Sequence, residues 1–288
     1  MSWCNLGVFR TANQERVYKL IKGIRDIVSE NIEYLPKLAR YGLLSIKKQN
    51  KGADLGYLWI WLKPLMYVGM FYIALAFGIK NAKDIDGIVC PYIIWLASGL
   101  YPWFFMQSYA IGNAKVFLKY KAFIKKQNYP VSVIPTIPLT TGFFIHLSMI
   151  LLLLIMALFF GVKPSLTWLQ IPVYTIAMMY FSYIWVLLTG LLTALTEDFS
   201  NIINSIKPAF FWLSGIFFNS RGRATAQIFF YLNPITFPVE GYRNCVAYNM
   251  WFWEEPGRLK GYLLTMLVLT TLAVLLYRRV RRQLPEFI

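Results

Sequence analysis

The sequence predicts an all-α, polytopic membrane protein. It would have six transmembrane helices, N-terminal amphipathic interface helices and an outer re-entrant helical hairpin between spans 5 and 6. Three observations carry this expectation. First, 58% of the 288 residues are hydrophobic and only 15% are charged, whereas about a quarter of a soluble domain is charged. Second, apolar runs of roughly 20 residues recur, the length that crosses a hydrocarbon core of ~30 Å as a helix. Third, Lys and Arg are segregated among the connecting segments. Those assigned inside hold nineteen and those assigned outside hold eight, with Lys63 and Lys207 at span ends. Cytoplasmic loops collect Lys and Arg, so both termini are expected inside.

The region 1–55 divides into two amphipathic stretches. In 1–31, Val17, Leu20, Ile21, Ile24, Ile27 and Val28 share one helical face among basic residues. In 32–50, Leu35, Leu38, Leu43 and Ile46 do the same among Lys37, Arg40, Lys47 and Lys48. Neither is apolar enough to span, and both are expected on the inner leaflet. The start carries no short apolar core followed by small residues, so no cleavable signal is expected. Gly52 and Gly56 break the pattern.

The region 56–288 is expected to form the membrane domain. Its spans are 57–79, 91–112, 131–160, 167–195, 202–219 and 261–277. Lys63 would snorkel to the inner interface. The segment 113–130 contains Lys115, Lys119, Lys121, Lys125 and Lys126 and no acidic residue. Val116, Phe117, Tyr120, Phe123 and Ile124 recur at helical spacing, so a short basic amphipathic helix is expected there. It either rests on anionic lipid or contacts a cytoplasmic partner.

The outer segment 220–260 departs from simple span-and-loop logic. Two apolar stretches, 226–232 and 237–248, are too short to cross, and Asn233-Pro234 between them is a turn signal. A re-entrant hairpin dipping from the outer face accounts for the pattern. Glu240 and Arg243 are three apart and able to pair on one face. The other possibility is a surface pair on an outer cap.

Several chemistries lack their residues. There is no G-x-x-x-x-G-K-[ST] phosphate loop. Cys4, Cys90 and Cys245 form no ligand cluster, and His146 is the sole histidine, which argues against a metal site. The net charge of +16 lies in inter-span loops, which favours anionic lipid over nucleic acid. Aromatic surface is abundant. Most of it is expected at the interfaces, but Phe210, Phe211 and Trp212 fall mid-span and, with Trp59, are candidates to line a pathway.

Four ordered stretches carry a resemblance. They are L-G-Y-L-W-I-W-L-K-P-L at 55–65, P-Y-I-I-W-L-A-S-G-L-Y-P-W-F-F at 91–105, K-K-Q-N-Y-P-V-S-V-I-P at 125–135 and N-P-I-T-F-P-V-E-G-Y-R at 233–243. Together they resemble the membrane subunits of ABC transporters that export cell-envelope polysaccharides, most of all the teichoic acid translocation permeases. O-antigen and capsule permeases are near relatives. The resemblance covers roughly 32–288 and implies a multi-pass protein of a bacterial cytoplasmic membrane. It implies a second copy of the chain and two copies of a separate ATP-binding subunit, which would hold ATP and Mg. This chain would bind no cofactor and move a lipid-linked glycan. The resemblance makes 32–50, with Leu35, Leu38, Arg40 and Lys47, the interface helix. It makes 115–128, with Lys115, Phe117, Lys119, Tyr120, Phe123, Lys125 and Lys126, the coupling helix. It makes 220–260, with Asn233, Pro234, Glu240 and Arg243, the outer gate. A membrane-embedded lipid or glycan transferase is the alternative from another class. Only Glu197, Asp198 and Glu240 would serve its chemistry.

Overall fold

A computed structural model describes residues 3–49, 51, 52, 54–78, 88–127, 129–217 and 227–288. Most of the expected outer loop at 80–90, and residues 220–226 of the outer segment, lie outside the described residues. No strand forms among the described residues, and the fold is all-helical.

Helix α1 spans Trp3–Gln49. The two expected amphipathic stretches are therefore one continuous helix, despite Pro36. Their shared face explains the continuity. Ile27 and Leu38, from opposite sides of the expected break, are both buried. Between them Asn31 donates back to the Ile27 carbonyl at 2.8 Å and across to the Ser132 carbonyl at 3.3 Å. Glycines at 52 and 56, both with positive φ, end this arm where a side chain would be strained.

Helix α2 (Trp59–Gly78) follows, then α3 (Tyr92–Phe105), which runs on through a wide turn at Met106–Ala110 and a tight one at Ile111–Asn113. Short helices α4 (Val116–Lys119) and α5 (Lys121–Gln127) form the basic segment. Next come α6 (Thr136–Phe159), α7 (Ile171–Leu195) and α8 (Asp198–Leu213). The chain closes with α9 (Gln227–Leu232), α10 (Thr236–Arg243), α11 (Pro256–Val280) and α12 (Leu284–Phe287).

Four stretches among the described residues are long and apolar enough to cross a membrane: Gly56–Leu75, Val131–Phe159, Leu166–Leu195 and Pro256–Val280. They match four of the six expected spans. The expected second span is α3, which is buried inside the bundle and diluted by Tyr, Trp and Pro. The expected fifth span is α8. Its 16 residues reach only roughly 24 Å at helical rise.

Contacts between connections sort them onto two ends. At one end Val89 donates to the Ala247 carbonyl at 2.8 Å, and Thr167 Oγ1 to the Cys245 carbonyl at 2.8 Å. At the other, Lys115 Nζ meets Glu197 at 2.6 Å, and Tyr34 of α1 packs on Tyr129. The connections thus alternate between the two ends of the bundle.

Helices α9 and α10 form a hairpin that enters and returns at the first end. Thr265 Oγ1 donates to the Leu232 carbonyl at 2.8 Å. The turn therefore reaches the depth of Thr265, roughly 14 Å along α11 from Pro256. Helix α10 is wholly buried. Its entry between neighbours depends on Gly241, where a Cβ would lie 2.1 Å from a ring carbon of Tyr174. Gly69 on α2 faces open space. Overpacking costs about 1–3 kcal/mol. Gly241→Ala is therefore expected to lower the thermal midpoint of the detergent-purified chain by a few degrees, while Gly69→Ala leaves it at or above the parent. Equal midpoints for the two variants would refute this packing.

Candidate functional site

Polar residues hold the hairpin in place within an apolar bundle. At its tip the Asn233 side chain accepts from the Ile235 N–H at 3.0 Å and donates to the Leu213 carbonyl at 3.1 Å. At the far end of α10, Arg243 is fully buried. Its Nη1 donates to the Gly215 carbonyl at 2.7 Å and to Glu240 Oε1 at 2.8 Å. Its Nη2 donates to the Ile216 carbonyl and its Nε to the Trp95 carbonyl at 3.3 Å. The guanidinium also lies 3.5 Å from the centre of the Trp95 ring. Gly99 makes room, since a Cβ there would sit 2.6 Å from Nη2. Glu240 and Arg243 thus pair in the interior of the protein and not on its surface.

These bonds answer a specific need. Helix α8 stops at Leu213, and Gly215, at φ 73°, turns the chain. The carbonyls beyond the stop have no helical donor, and an unpaired carbonyl within the apolar region is costly. Arg243 supplies the donors. Glu240 balances its charge, as a buried cation requires. A second pair, Arg258 and Glu255 at 3.1 Å, stands nearby and binds Asn244 through Glu255 at 3.0 Å. Next along α10, Tyr242 joins two spans. Its hydroxyl lies 2.7 Å from His146 Nε2 on α6 and 2.7 Å from Thr175 Oγ1 on α7.

Beside this hairpin a cavity of about 660 Å³ opens between α2, α3, α6 and α8. Its wall is aromatic, with Trp59, Tyr67, Phe71, Trp103 and Phe211. Its polar lining includes Lys63, Lys207, Gln107 and His146. Two of the four expected pathway residues, Trp59 and Phe211, are brought together here. Phe210 instead packs edge-on against Trp185 at 5.3 Å. Trp212 is half exposed on the outside of the bundle and leans on Phe217. Sequence reasoning does not pick out Lys207, His146 and Tyr242 for this site. A lone histidine on an apolar span is the one available signal.

The basic segment has its apolar side turned inward. Val116 and Phe117 are fully buried and pack on Gly190 of α7, where a Cβ would lie 2.8 Å from Val116 and 3.0 Å from Phe117. Phe123 and Tyr120 are half-buried, and Phe123 stacks edge-on with Tyr41 and Tyr129. Burial pushes the Tyr120 hydroxyl up to about 12, so it stays neutral. Lys115, Lys119, Lys121, Lys125 and Lys126 are exposed. Phe117 therefore cannot anchor a partner, because this chain already covers it. On α1, Leu38 is buried, while Leu35, Arg40 and Lys47 are exposed or half-exposed.

No model of a known protein family matches this chain. Two curated relatives do so in part, both the O-antigen export system permease protein RfbA of Klebsiella pneumoniae. Each is 29% identical over 139 residues, covering 48% of this chain and 51% of the relative. A third, RfbA of Myxococcus xanthus, is 20% identical over 220 residues, covering 75% of this chain and 82% of the relative. The chain is similar to polysaccharide export permeases. It spans about half the length of the first curated relatives it matches.

Breaking a buried pair by removing one partner costs about 3–5 kcal/mol. Arg243→Ala is therefore expected to lower the yield and thermal midpoint of the purified chain sharply. The double variant Arg243→Met, Glu240→Gln should recover part of the loss, since it leaves no lone charge. A parent-like midpoint for Arg243→Ala would show that the cluster does not hold the hairpin.

Proposed function

We propose that this chain is the membrane-spanning permease subunit of an ATP-driven exporter for a lipid-linked cell-surface polysaccharide. The observation that carries the reading is the aromatic-walled cavity beside a re-entrant hairpin, in a chain similar to O-antigen export permeases. Sugar rings present flat C–H faces to aromatic rings and hydroxyls to polar groups. The cavity offers both. An O-antigen-type polymer is the preferred cargo. The expected teichoic acid specificity gains no support from the relatives. A transferase reading is weakened by Glu240, whose carboxylate is engaged in holding Arg243.

In this reading the chain crosses the bacterial cytoplasmic membrane six times, with both termini inside, and pairs with a second copy of itself. Two ATP-binding subunits, carrying ATP and Mg, dock on the basic segment. The exposed lysines and half-buried Tyr120 and Phe123 make that contact, while Phe117 supports the segment from within. The hairpin, with Asn233, Pro234, Glu240 and Arg243, forms the outer gate.

Deletion of the chain in its host should remove the polysaccharide from the cell surface and leave lipid-linked polymer inside, seen by glycan staining of intact and lysed cells. Unchanged surface glycan would reject the reading. Replacing Lys119, Lys121, Lys125 and Lys126 together by Ala should abolish co-purification of an ATP-binding subunit without loss of the chain. Phe117→Ala, which opens a core cavity, should instead destabilise the chain by about 3–5 kcal/mol. A stable Phe117→Ala chain that fails only to co-purify would restore the phenylalanine as a docking anchor.

A further inference from the structure

Two walls of the cavity present the same dipeptide. Lys63-Pro64 lies in α2 and Lys207-Pro208 in α8, and all four residues line the space. Proline has no N–H to give the carbonyl four residues back. The carbonyls of Ile60 and Asn204 therefore lack their helical donors, and both residues line the same space. A third wall adds Gln107 and Ser108 from the wide turn after α3, a kind of helical irregularity frequent at functional sites. His146 Nδ1, on the fourth wall, is buried without a partner among the described residues.

Among the described residues, no Asp or Glu lines the cavity, and neither Lys63 nor Lys207 is paired with a carboxylate. Lys63 Nζ lies 5.7 Å from the centre of the Trp59 ring. Two ammonium groups bordering an aromatic chamber, with no counter-charge in its described lining, favour an anion. Lysines at the ends of membrane spans carry their charge to the level of the lipid headgroups. The anions held in membranes are mostly phosphates, and lysine binds phosphate as a point charge.

We infer that Lys63 and Lys207 form a cation pair that holds the phosphate or diphosphate joining a lipid tail to its glycan. The inference rests on the export reading and names the part of the cargo that the chamber recognises. The freed carbonyls accept hydrogen bonds from sugar hydroxyls, and the aromatic wall takes the apolar faces. Bulk anionic phospholipid offers the same phosphate chemistry and is the competing source.

The test uses the full chain in phosphatidylcholine nanodiscs with radiolabelled farnesyl diphosphate as the probe. Saturable binding is expected, weakened tenfold or more by Lys63→Gln and by Lys207→Gln. Lys63→Arg and Lys207→Arg should restore it. Lys163→Gln, on an exposed connection, should bind like the parent. Farnesol, which lacks the phosphate, should not compete. Parent-like binding by both glutamine variants would overturn the pair, as would equal competition by farnesol. Competition by phosphatidylglycerol at the concentration where unlabelled farnesyl diphosphate competes would assign the lysines to bulk lipid and overturn the carrier. Thermal midpoints of the variants, expected at the parent value, exclude misfolding as the cause of lost binding. Surface-glycan staining of the same variants separates the two ideas. Undiminished export by both glutamine variants would overturn the phosphate pair and leave the export reading standing. Lysine-dependent binding in a chain whose deletion leaves surface glycan unchanged would do the reverse.

Discussion

A carbonyl inside a membrane needs a donor from the protein, and one arginine meets that need where this fold breaks its own helix. Helix α8 ends at Leu213, and the chain turns at Gly215. Arg243 reaches from the hairpin to the carbonyls of Gly215, Ile216 and Trp95 at once. That fork ties the broken helix, the buried α3 and the hairpin into one body. Planar geometry and five donors suit arginine to this task in a way lysine is not suited. Glu240 balances Arg243 because a fully buried guanidinium without a counter-charge would be too costly.

A second polar cluster works at the opposite end. Glu30 and Asn31 of α1 meet Ser132, Thr136, Tyr183 and Tyr277 from three different stretches of the chain. Arg278 and Val274 crowd Gly23, where a Cβ would lie 2.9 Å from either. The long first helix is thus fastened across the ends of α6, α7 and α11. With α5 resting on its aromatic edge through Tyr41 and Phe123, the basic segment is propped from behind. Its lysines face outward as a result. Movement of that surface would be carried into α7 through Phe117 and Gly190. The cavity lies between α2, α3, α6 and α8, so a shift of α8 through Lys115 and Glu197 would reach its wall.

Much of this was legible in the chain, because lipid imposes simple demands on length and charge. Four apolar runs and the hairpin with its Asn233-Pro234 turn follow from those demands. The single helix α1 was not legible. Pro36 and a charged face mimic a break, and only the burial of Ile27 and Leu38 on one face shows why the helix continues. The end of α8 was missed because hydropathy stays high through Ile216 and Phe217, whereas the turn is made by one glycine. Periodicity correctly grouped Phe117 with Val116 but could not say what covers that face. Phe210, Phe211 and Trp212 read alike in sequence, yet adjacent helical residues point about 100° apart, and only Phe211 meets the cavity. Lys63 and Lys207 sat at span ends, where a lysine ordinarily snorkels to headgroups. That both Lys-Pro pairs line one cavity emerges only in three dimensions.

Side-specific thiol labelling in intact cells tests the central claim, that the hairpin enters and leaves by the outer face while the basic segment lies on the inner one. In a chain with Cys4, Cys90 and Cys245 replaced, single cysteines would be placed at Pro164→Cys, Trp253→Cys, Lys121→Cys and Asp198→Cys. The account predicts that an impermeant maleimide labels positions 164 and 253 in intact cells and reaches positions 121 and 198 only after permeabilisation. Labelling of positions 253 and 121 from the same side would contradict it.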